Sequence, residues 1–392
     1  MPQEPLDIDR LFRQRMARRD LLRYTGMGLG VSAILAACKQ ASSSGAAIPS
    51  GSARPAIDTE PGGLQVFDWS GYGNGDYYPK EEKQYLWGDY QKATGDTPKF
   101  ILFENDDSGF TKVAQGTTYD IVHPCAYRFQ DYVNLPGVMQ PWDTSLLQNW
   151  GQLNPQLEKQ GNINGQQYFI VEDWGFIAPL YRADKVEPQE QSFSLLFDDR
   201  YPGKISWIDT LEMLVIAAYV NGVSNPWDMT DDELSQMKDF LISKKPLVKF
   251  FWNQSYELFQ AFKREEVYIG YAWPDAYAYA KGAGLDVEYM NPKEGRITWS
   301  CGLGLFGDTQ NYYHAHAYAD SWSSSKAAQF LVGYYYYGHA NANIDLSAIS
   351  ADIVKALSLD DLSILEPPNS NVESYIPRRQ VYADAWDEVK AS

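Results

Sequence analysis

The chain lacks the residue patterns on which most enzyme classes depend. It has three cysteines and four histidines in 392 residues. It contains no G-x-S-x-G, no H-E-x-x-H, no glycine-rich phosphate loop and no paired-cysteine metal motif. His314 and His316 could share one face of a strand and bind a metal, but no carboxylate or cysteine completes a ligand set at a typical spacing. The sequence therefore predicts no catalytic residue, no cofactor and no metal.

Basic residues are scarce relative to acidic ones. The chain carries 33 Lys and Arg against 51 Asp and Glu, a net charge of −18. The first 38 residues hold six of the arginines and four of the acids, so the remainder has 27 basic and 47 acidic residues. A field of this sign repels nucleic acid and attracts small cations, so we expect no nucleic-acid partner.

The apolar segment after Arg23, residues 24–37, is too short and too glycine-rich for a permanent membrane-spanning helix. It follows the pair Arg18 and Arg19 and ends in Leu-Ala-Ala-Cys38, an order typical of a Tat export signal with a lipoprotein cleavage site. We expect residues 1–38 to be this signal and lipid on Cys38 to hold the protein to a membrane, at a periplasmic or cell-surface location. An atypical membrane anchor is the alternative. Residues 39–62 are rich in Ser, Ala, Gly and Pro and predict a flexible tether.

Aromatic residues are abundant, at 15% of the chain with 12 Trp and 28 Tyr. Their flat apolar faces and polar edges suit recognition surfaces. Strand-like and helix-like segments alternate along the chain, which predicts an α/β fold with a mostly parallel sheet and helices on both faces. The predicted strands are 64–69, 99–103, 119–122, 204–208, 267–272 and 286–289, and the predicted helices are 79–94, 110–114, 211–220, 230–244, 275–281, 323–337 and 378–389. About 330 folded residues are too many for one ordinary hydrophobic core, and they predict two lobes.

Aromatic residues lie beside acidic or polar ones at the ends of several predicted strands. The four segments are 67–72 (Phe-Asp-Trp-Ser-Gly-Tyr), 209–212 (Asp-Thr-Leu-Glu), 272–275 (Ala-Trp-Pro-Asp) and 298–301 (Thr-Trp-Ser-Cys). Ligands of open α/β sheets bind beyond the carboxyl ends of strands. A ring attracts a cation by about 0.5–2 kcal/mol, and a hydrogen bond to a carboxylate adds about 1.5–3 kcal/mol. This combination predicts a ligand with an alkyl chain and ammonium ends.

At these residues the chain resembles the spermidine/putrescine family of periplasmic-binding proteins of bacterial ABC importers. The resemblance runs from about residue 64 to 390, and its markers are 67–72, 119–124 (Tyr-Asp-Ile-Val-His-Pro), 201–204 (Tyr-Pro-Gly-Lys) and 291–295 (Asn-Pro-Lys-Glu-Gly), which leads to Trp299. It implies two α/β lobes joined by a hinge with a ligand cleft between them. The first lobe would hold residues 63–175 and 300–342, and the second 176–299 and 343–392. It also implies a monomeric receptor, without enzymatic activity, that passes a polyamine or related organic cation to a membrane permease.

The same resemblance implies which residues line the cleft. They are Trp69, Ser70, Tyr72, Cys125, Tyr127, Asp209, Glu212, Trp273, Asp275, Trp299, Cys301 and His339. The tryptophans and Tyr72 would enclose the methylene chain, the three acids would bind ammonium ends, and Ser70 and Tyr127 would add polar contacts. Cys301 stands where the family usually has an aspartate, and Asp275 is the candidate to replace that carboxylate. Cys125 and Cys301 map to cleft-facing positions of one lobe, so we hypothesise that they pair.

Two other functions stay open. The same fold could bind an amino acid derivative, a phosphonate or thiamine. An anionic ligand group would require an arginine in the cleft, and Arg128, Arg182 and Arg296 are candidates that the sequence does not place. The other alternative is an anchored hydrolase with Asp209 and Glu212 as acid and base. It is disfavoured because carboxylates three residues apart on one helical turn are neighbours and do not flank a bond.

Overall fold

The computed structural model describes residues 57–69, 72, 86–103, 105–366 and 370–392. The predictions for the signal, for Cys38, for most of the tether and for Ser70 therefore lie outside the described residues, as does the first part of the helix predicted over 79–94. Among the described helices, none has both the length and the hydropathy that are needed to cross a membrane.

The described residues form fourteen strands and twelve α-helices. The strands are β1 (Gln65–Trp69), β2 (Lys99–Phe103), β3 (Ile121–Val122), β4 (Met139–Gln140), β5 (Asn162–Ile163), β6 (Gln166–Gln167), β7 (Phe169–Arg182), β8 (Ile205–Ile208), β9 (Val248–Trp252), β10 (Ile269–Ala272), β11 (Val287–Tyr289), β12 (Arg296–Phe306), β13 (Gly338–His339) and β14 (Ser370–Val372). The helices are α1 (Gly88–Thr94), α2 (Asp106–Ala114), α3 (Ala126–Asn134), α4 (Pro155–Glu158), α5 (Glu212–Val220), α6 (Asp231–Lys244), α7 (Ser255–Lys263), α8 (Pro274–Gly282), α9 (Tyr312–Trp322), α10 (Ser325–Tyr335), α11 (Ala351–Leu357) and α12 (Arg379–Ala391).

Two long strands connect two lobes. The main path of the sheet runs β2-β1-β3-β12-β7-β10-β8-β9. Strands β1, β2 and β3 are parallel on one side, and β8, β9 and β10 are parallel on the other. Between them β7 and β12 pair antiparallel over most of their length, and every residue of both strands is buried. Such continuous burial explains why β7 and β12 show no alternating pattern in the sequence.

Each lobe covers its part of the sheet with its own helices. In the first lobe α9 packs on α1, and α2 packs on α3. In the second lobe α6 contacts α5 and α12, and α8 contacts α7 and α11. The fold is therefore two α/β lobes, as predicted. The prediction of a mostly parallel sheet is wrong, because β7 and β12, which pass between the lobes, run antiparallel to each other and to most of the strands beside them.

Most predicted elements are confirmed with shifted ends. Strand β2 has the predicted bounds, and α6 begins with the predicted capping box, in which the Glu233 N–H donates to Thr230 Oγ1 at 3.3 Å and Glu233 Oε2 accepts from the Thr230 N–H at 2.8 Å. Helix α2 begins four residues earlier than predicted because Asn105 Oδ1 caps it, accepting from the Ser108 N–H at 2.9 Å. Helix α10 ends at Tyr335, two residues early, because Tyr336 adopts a left-handed φ of 62°.

His314 and His316 do not share a strand face, the arrangement that the sequence left open for a metal site. Both residues lie on α9, and residues two apart on a helix do not face each other. The His314 Nδ1 lies 2.8 Å from the Tyr90 hydroxyl, and His316 Nε2 accepts from the Asp143 N–H at 3.0 Å. The two rings therefore serve separate structural contacts.

Candidate functional site

Three carboxylates and one arginine meet where the two lobes face each other. Asp106 begins α2 in the first lobe, while Glu212 begins α5 and Glu373 follows β14 in the second. Their exposed fractions are 2%, 5% and 8%. Arg379 begins α12, and Tyr127 lies in the first turn of α3. We call these five residues the interlobe acidic cluster; of them, only Tyr127 and Glu212 were predicted from the sequence.

Burial and mutual repulsion favour the protonated forms of these carboxyl groups. Burial raises the pKa of Asp106 to about 7, against the opposing effects of Tyr127 and of the Arg379 charge. Burial also raises the pKa of Glu212, which Arg379 partly offsets. The pKa of Glu373 lies well above its usual range because of burial and then the charges of Glu212 and Asp106. A further cation in the cluster would relieve this repulsion.

Buried polar atoms of the cluster lack hydrogen-bond partners. Asp106 Oδ1 accepts from the Cys125 N–H at 3.2 Å, and the Tyr127 hydroxyl lies close enough to offset part of the rise that burial causes in the pKa of Asp106. Among the described residues, however, no donor reaches Asp106 Oδ2 or Glu212 Oε2 with hydrogen-bond geometry, and Arg379 Nη1 has no acceptor. Leaving a buried polar group unpaired costs about 1–3 kcal/mol, and more when it is charged. In their ionised form these oxygens accept only, so a bound donor such as an ammonium would satisfy them and would also favour that ionised form.

Arg379 reaches from the second lobe to the first. Its guanidinium carbon lies 4.9 Å from the centre of the Tyr127 ring, and its Nε donates to Asp107 Oδ1 on α2 at 3.1 Å. Its Nη1 is 4.0 Å from Glu212 Oε1. One arginine therefore links the lobes, but it balances only one of the negative charges around it.

A row of aromatic rings leads away from the interlobe acidic cluster. The Glu373 N–H donates to the Thr298 carbonyl at 2.8 Å, which places Glu373 beside Trp299. The centre of the Trp299 ring lies 4.8 Å from Tyr337, Tyr337 lies 6.3 Å from Tyr335, and Tyr335 stacks on Tyr72 at 5.0 Å with an angle of 10° between the rings. We call Trp299, Tyr337, Tyr335 and Tyr72 the aromatic row. The Trp299 ring lies across Gly175, where any side chain would collide with it.

The far end of the aromatic row rests on a second group of buried charges. The Tyr72 hydroxyl donates to Asp173 Oδ2 at 2.5 Å. The Nε2 of His123 lies 3.2 Å from Asp173 Oδ1, and its Nδ1 lies 2.8 Å from Asp68 Oδ1. We call Asp68, His123 and Asp173 the His123 network. Burial alone would lower the pKa of His123, but the two carboxylates outweigh it and raise that pKa to about 10.

The other predicted tryptophans lie on different elements. Trp273 precedes α8, and its ring contacts Trp252 at 5.2 Å. Burial and then the charges of Glu212 and Glu373 raise the pKa of Tyr271, whereas the Trp273 side chain lowers it, so Trp273 lies near the interlobe acidic cluster. Trp69 is half-buried at the end of β1, where its ring contacts Phe103 at 4.8 Å.

The prediction that Asp209 and Glu212 face one side is wrong. Asp209 Oδ1 lies 3.0 Å from Lys390 Nζ and accepts from Trp386 Nε1 at 3.0 Å, whereas Glu212 faces Arg379. Arg379 and Lys390 are eleven residues apart on α12, which is about 16 Å along a helix. The two carboxylates therefore point to opposite ends of α12. This separation also removes the acid–base pair on which the hydrolase alternative depended.

Two further predicted ligand residues are already engaged in contacts within the protein. His339 is buried, with Nε2 3.1 Å from the Trp322 carbonyl and Nδ1 accepting from the Asn341 N–H at 2.9 Å. Burial lowers the pKa of His339 to about 4, so the ring is neutral. Asp275 Oδ1 accepts from the Ser255 hydroxyl at 2.7 Å and from its neighbouring Ala276 N–H at 2.9 Å. Neither side chain resembles the unpaired carboxylates of the interlobe acidic cluster.

The hypothesised disulfide between Cys125 and Cys301 is present. It joins the residue before α3 to the middle of β12, and the Cα atoms are 3.8 Å apart. Cys301 also pairs with Asp173 across the β12–β7 ladder, just before a bulge. Directly opposed residues of antiparallel strands place their side chains on the same face, so Cys301 and Asp173 are neighbours. The disulfide therefore lies between the His123 network, which contains Asp173, and the interlobe acidic cluster, which the Cys125 N–H contacts.

The three candidate arginines lie outside the cluster. Arg128 pairs with Asp131, Arg182 pairs with Asp184, and Arg296 donates to the Met290 and Ala356 carbonyls. The arginine of the site is Arg379, which no motif in the sequence singles out. It reaches Tyr127 because α12 packs on α5 and α6 of the second lobe with its first turn towards the first lobe.

A separate cavity of about 720 Å³ opens beside α1 and α9 in the first lobe. Two carboxylates line it, but both have partners. Asp89 bonds Lys92 at 2.9 Å, and Asp320 accepts from the Asn149 N–H at 2.8 Å. Because its acids are already paired, this cavity offers less to a cation than the interlobe acidic cluster does.

Comparison with known proteins identifies relatives with this architecture. The profile of the family described as bacterial extracellular solute-binding protein matches residues 81–356. The spermidine/putrescine-binding periplasmic protein of Escherichia coli (strain K12) is 26% identical over 227 residues, which cover 57% of this chain and 64% of that protein. The match thus spans less than two thirds of that relative. The putrescine-binding periplasmic protein PotF of the same organism is 23% identical over 355 residues, covering 84% of this chain and 91% of that protein.

A solved structure shares this fold over nearly the whole length of the solved chain. It is the spermidine/putrescine ABC transporter substrate-binding protein PotD from Streptococcus pneumoniae strain Canada MDR_19A, with a TM-score of 0.66 and 20% sequence identity. The match covers 84% of this chain and 98% of that structure. The fold is therefore the two-lobed fold of periplasmic binding proteins. With the profile matching most of its length, the chain belongs to the bacterial extracellular solute-binding protein family.

Proposed function

We propose that this protein is the receptor of an ABC importer that captures a polyamine, such as putrescine or spermidine, or a related organic cation, and performs no chemistry on it. The observation that carries the proposal is the interlobe acidic cluster, in which buried carboxylate oxygens of Asp106 and Glu212 have no donor among the described residues. The names of the E. coli relatives support the same ligand class.

The ligand we propose matches the chemistry of the site in two parts. An ammonium group would donate to the unpaired oxygens of the cluster, each such bond being worth about 1.5–3 kcal/mol. The alkyl chain would lie along the aromatic row, whose faces attract a cation by about 0.5–2 kcal/mol per contact. A neutral ligand could donate to these oxygens but would leave their charge unbalanced, and an anionic group would find, in the described part of the chain, one unpaired arginine nitrogen, Arg379 Nη1, among three carboxylates, so both are disfavoured.

Binding would be coupled to the approach of the two lobes. Asp106 and Tyr127 belong to the first lobe, and Glu212, Glu373 and Arg379 belong to the second, so a cation between them attracts both sides at once. A closed form stabilised in this way is what we expect the permease to recognise.

A thermal-shift panel on the purified full-length chain tests the ligand class. The panel contains putrescine, spermidine, spermine, monoamines, amino acids and phosphonates, and calorimetry follows on each ligand that raises the melting temperature. A polyamine at 100 times its dissociation constant would stabilise the fold by about 2.7 kcal/mol. Stabilisation by amino acids or phosphonates alone, with no response to any amine, would contradict the proposal.

We further propose that the protein is exported by the Tat pathway and anchored by lipid on Cys38. Cell fractionation tests the anchor: Cys38→Ser should move the protein from the membrane to the soluble fraction, and Arg18→Lys with Arg19→Lys should block its export. An unchanged membrane fraction of the Cys38→Ser variant would contradict the lipid anchor and would leave the ligand proposal intact.

A further inference from the structure

The His123 network holds more negative than positive charge. Carboxylates accept hydrogen bonds and cannot donate them, so a ring placed between Asp68 Oδ1 and Asp173 Oδ1 uses both nitrogens as donors and is an imidazolium. All three side chains are fully buried. Two carboxylates and one imidazolium leave one negative charge that the network itself does not balance. Within the described residues, Asp68 Oδ2 has no donor.

The phenol of Tyr72 links this charge to the aromatic row. Asp173 Oδ1 faces His123, and Asp173 Oδ2 accepts the Tyr72 hydroxyl proton at 2.5 Å. A hydroxyl that donates to a carboxylate keeps two lone pairs and becomes a stronger acceptor, because hydrogen bonds in a chain polarise one another. The Tyr72 ring itself is held by stacking on Tyr335 and by the edge contact with His123 at 5.1 Å.

This arrangement lies at the opposite end of the aromatic row from the interlobe acidic cluster. Trp299 is beside Glu373 at one end, and Tyr72 is on Asp173 at the other. We propose that Asp173, held by His123 and acting through the Tyr72 hydroxyl, is a specificity-determining positioning residue that selects ligands with a positive charge at this second end. The inference rests on the proposed function, since it concerns the ligand that the cleft binds.

Substitutions can separate this role from ordinary structural support. Asp173→Asn keeps the shape of the side chain and an oxygen for the Tyr72 hydroxyl, but it removes the excess negative charge. Tyr72→Phe keeps the stacked ring and removes the hydroxyl. Asp199→Asn is the matched control, because Asp199 pairs with Lys244 on the surface of the second lobe and its loss changes the net charge by the same amount.

The test compares the affinities of 1,4-diaminobutane and its mono-N-acetyl derivative by calorimetry on each full-length variant. The wild-type chain should prefer the diamine, and Asp173→Asn and Tyr72→Phe should each reduce that preference by about tenfold, as expected for one lost hydrogen bond to a charged group. Asp199→Asn should leave it unchanged. A purely structural role would weaken both ligands equally and keep their ratio.

The outcomes separate this inference from the proposed function. If the wild-type chain binds the diamine and both variants keep the wild-type ratio, the inference is wrong and the proposed function stands. If the wild-type chain binds no amine, both are wrong. If Asp173→Asn does not fold, the Tyr72→Phe ratio decides alone, since this substitution at a half-buried residue removes only one oxygen atom.

Discussion

The molecule contains two groups of buried carboxylates, and they are compensated in different ways. In the His123 network one imidazolium lies between two carboxylates of a single lobe, within 3.2 Å of both. In the interlobe acidic cluster three carboxylates share Arg379, whose Nη1 comes no closer than 4.0 Å to Glu212 and which bonds exposed Asp107 instead. The first group has its cation built in. Both groups contain carboxylate oxygens with no donor among the described residues, Asp68 Oδ2 in the first and Asp106 Oδ2 and Glu212 Oε2 in the second. What distinguishes the second group is that its one arginine stays 4.0 Å from Glu212.

This difference separates carboxylates that the chain has paired with a cation of its own from carboxylates that we propose to contact the cation of the ligand directly. A carboxylate that the chain has paired is stabilised in the folded protein, and its removal should destabilise the fold. A buried carboxylate that the chain has left unpaired lowers stability, and it persists where a ligand supplies the missing donor. Loss of a charge should therefore lower the stability of the folded protein when it occurs in the His123 network and raise it when it occurs in the interlobe acidic cluster.

The largest expected effect is on the His123 network. His123→Leu leaves two buried carboxylates facing each other, so the free energy of unfolding should fall by about 3–5 kcal/mol. The pKa of His123 is raised to about 10, so the loss should be full below about pH 6.5 and should shrink as the pH rises towards 10. Urea unfolding at pH 6, 8 and 9.5 measures the loss of unfolding free energy and its dependence on pH.

His314→Gln is a control for this experiment, because within the described part of the chain the His314 ring bonds the Tyr90 hydroxyl at 2.8 Å and lies 3.8 Å from Asp96. Its cost should be about 1 kcal/mol. Equal losses of unfolding free energy for His123→Leu and His314→Gln would show that the paired charges of the His123 network add no stability beyond that of an ordinary hydrogen bond.

The disulfide between the two groups should have the next largest effect. It closes a segment of 176 residues, so Cys125→Ser with Cys301→Ser should lower the free energy of unfolding by about 2–4 kcal/mol. Thiol titration of the denatured protein, before and after reduction, checks the bond itself. Two free thiols without reduction would contradict the disulfide.

The interlobe acidic cluster should respond with a loss of binding and a gain of stability. Glu373→Gln should weaken polyamine binding by about 10- to 100-fold, equivalent to 1.5–3 kcal/mol. Because the pKa of Glu373 is raised, the ligand-free variant should also melt higher, by a difference that is absent near pH 4 and grows as the pH rises. Calorimetry and thermal melts of one preparation give both results.

Glu266→Gln is the matched control, since Glu266 bonds Arg264 at 2.8 Å on the surface. It should change neither binding nor stability by more than about 0.5 kcal/mol. A Glu373→Gln variant that binds polyamine normally, or that melts at a lower temperature without ligand, would contradict the difference that we propose between the interlobe acidic cluster and the His123 network.

The smallest predicted effect is the pH dependence of binding. The pKa of Asp106 is about 7 without ligand, so a bound ammonium would displace a proton from the cluster. Affinity should fall as the pH is lowered from 8 to 6, by up to about tenfold per pH unit for each proton displaced. Calorimetry in buffers of different ionisation enthalpy counts those protons. A pH-independent affinity would show that the ligand does not reach Asp106.

Sequence reasoning located part of the site and missed part of it. Tyr127 and Glu212 were identified because the resemblance to a known family implies that they line the cleft, and the structure brings them together. Asp106, Glu373 and Arg379 belong to no such motif. Glu373 reaches the site only because β14 pairs with β12, and Arg379 only because α12 packs so that its first turn faces Tyr127.

The errors share one cause. Asp209 was grouped with Glu212 because the two are three residues apart, but their partners lie at opposite ends of α12. For His314 and His316 the local pattern left a shared strand face open, whereas both residues lie on α9. Local sequence fixes spacing along the chain but not which distant element packs against each side chain.

The sequence by itself determined the α/β character, the two-lobed size, the acidic charge and the aromatic segments at strand ends, because these depend on composition and short-range periodicity. Only the tertiary structure decided which buried acids received a cation from the protein and which did not. That choice depends on contacts between residues more than fifty positions apart, such as His123 with Asp68 and Arg379 with Asp107. Charge pairing acts through space, and the chain order does not reveal it.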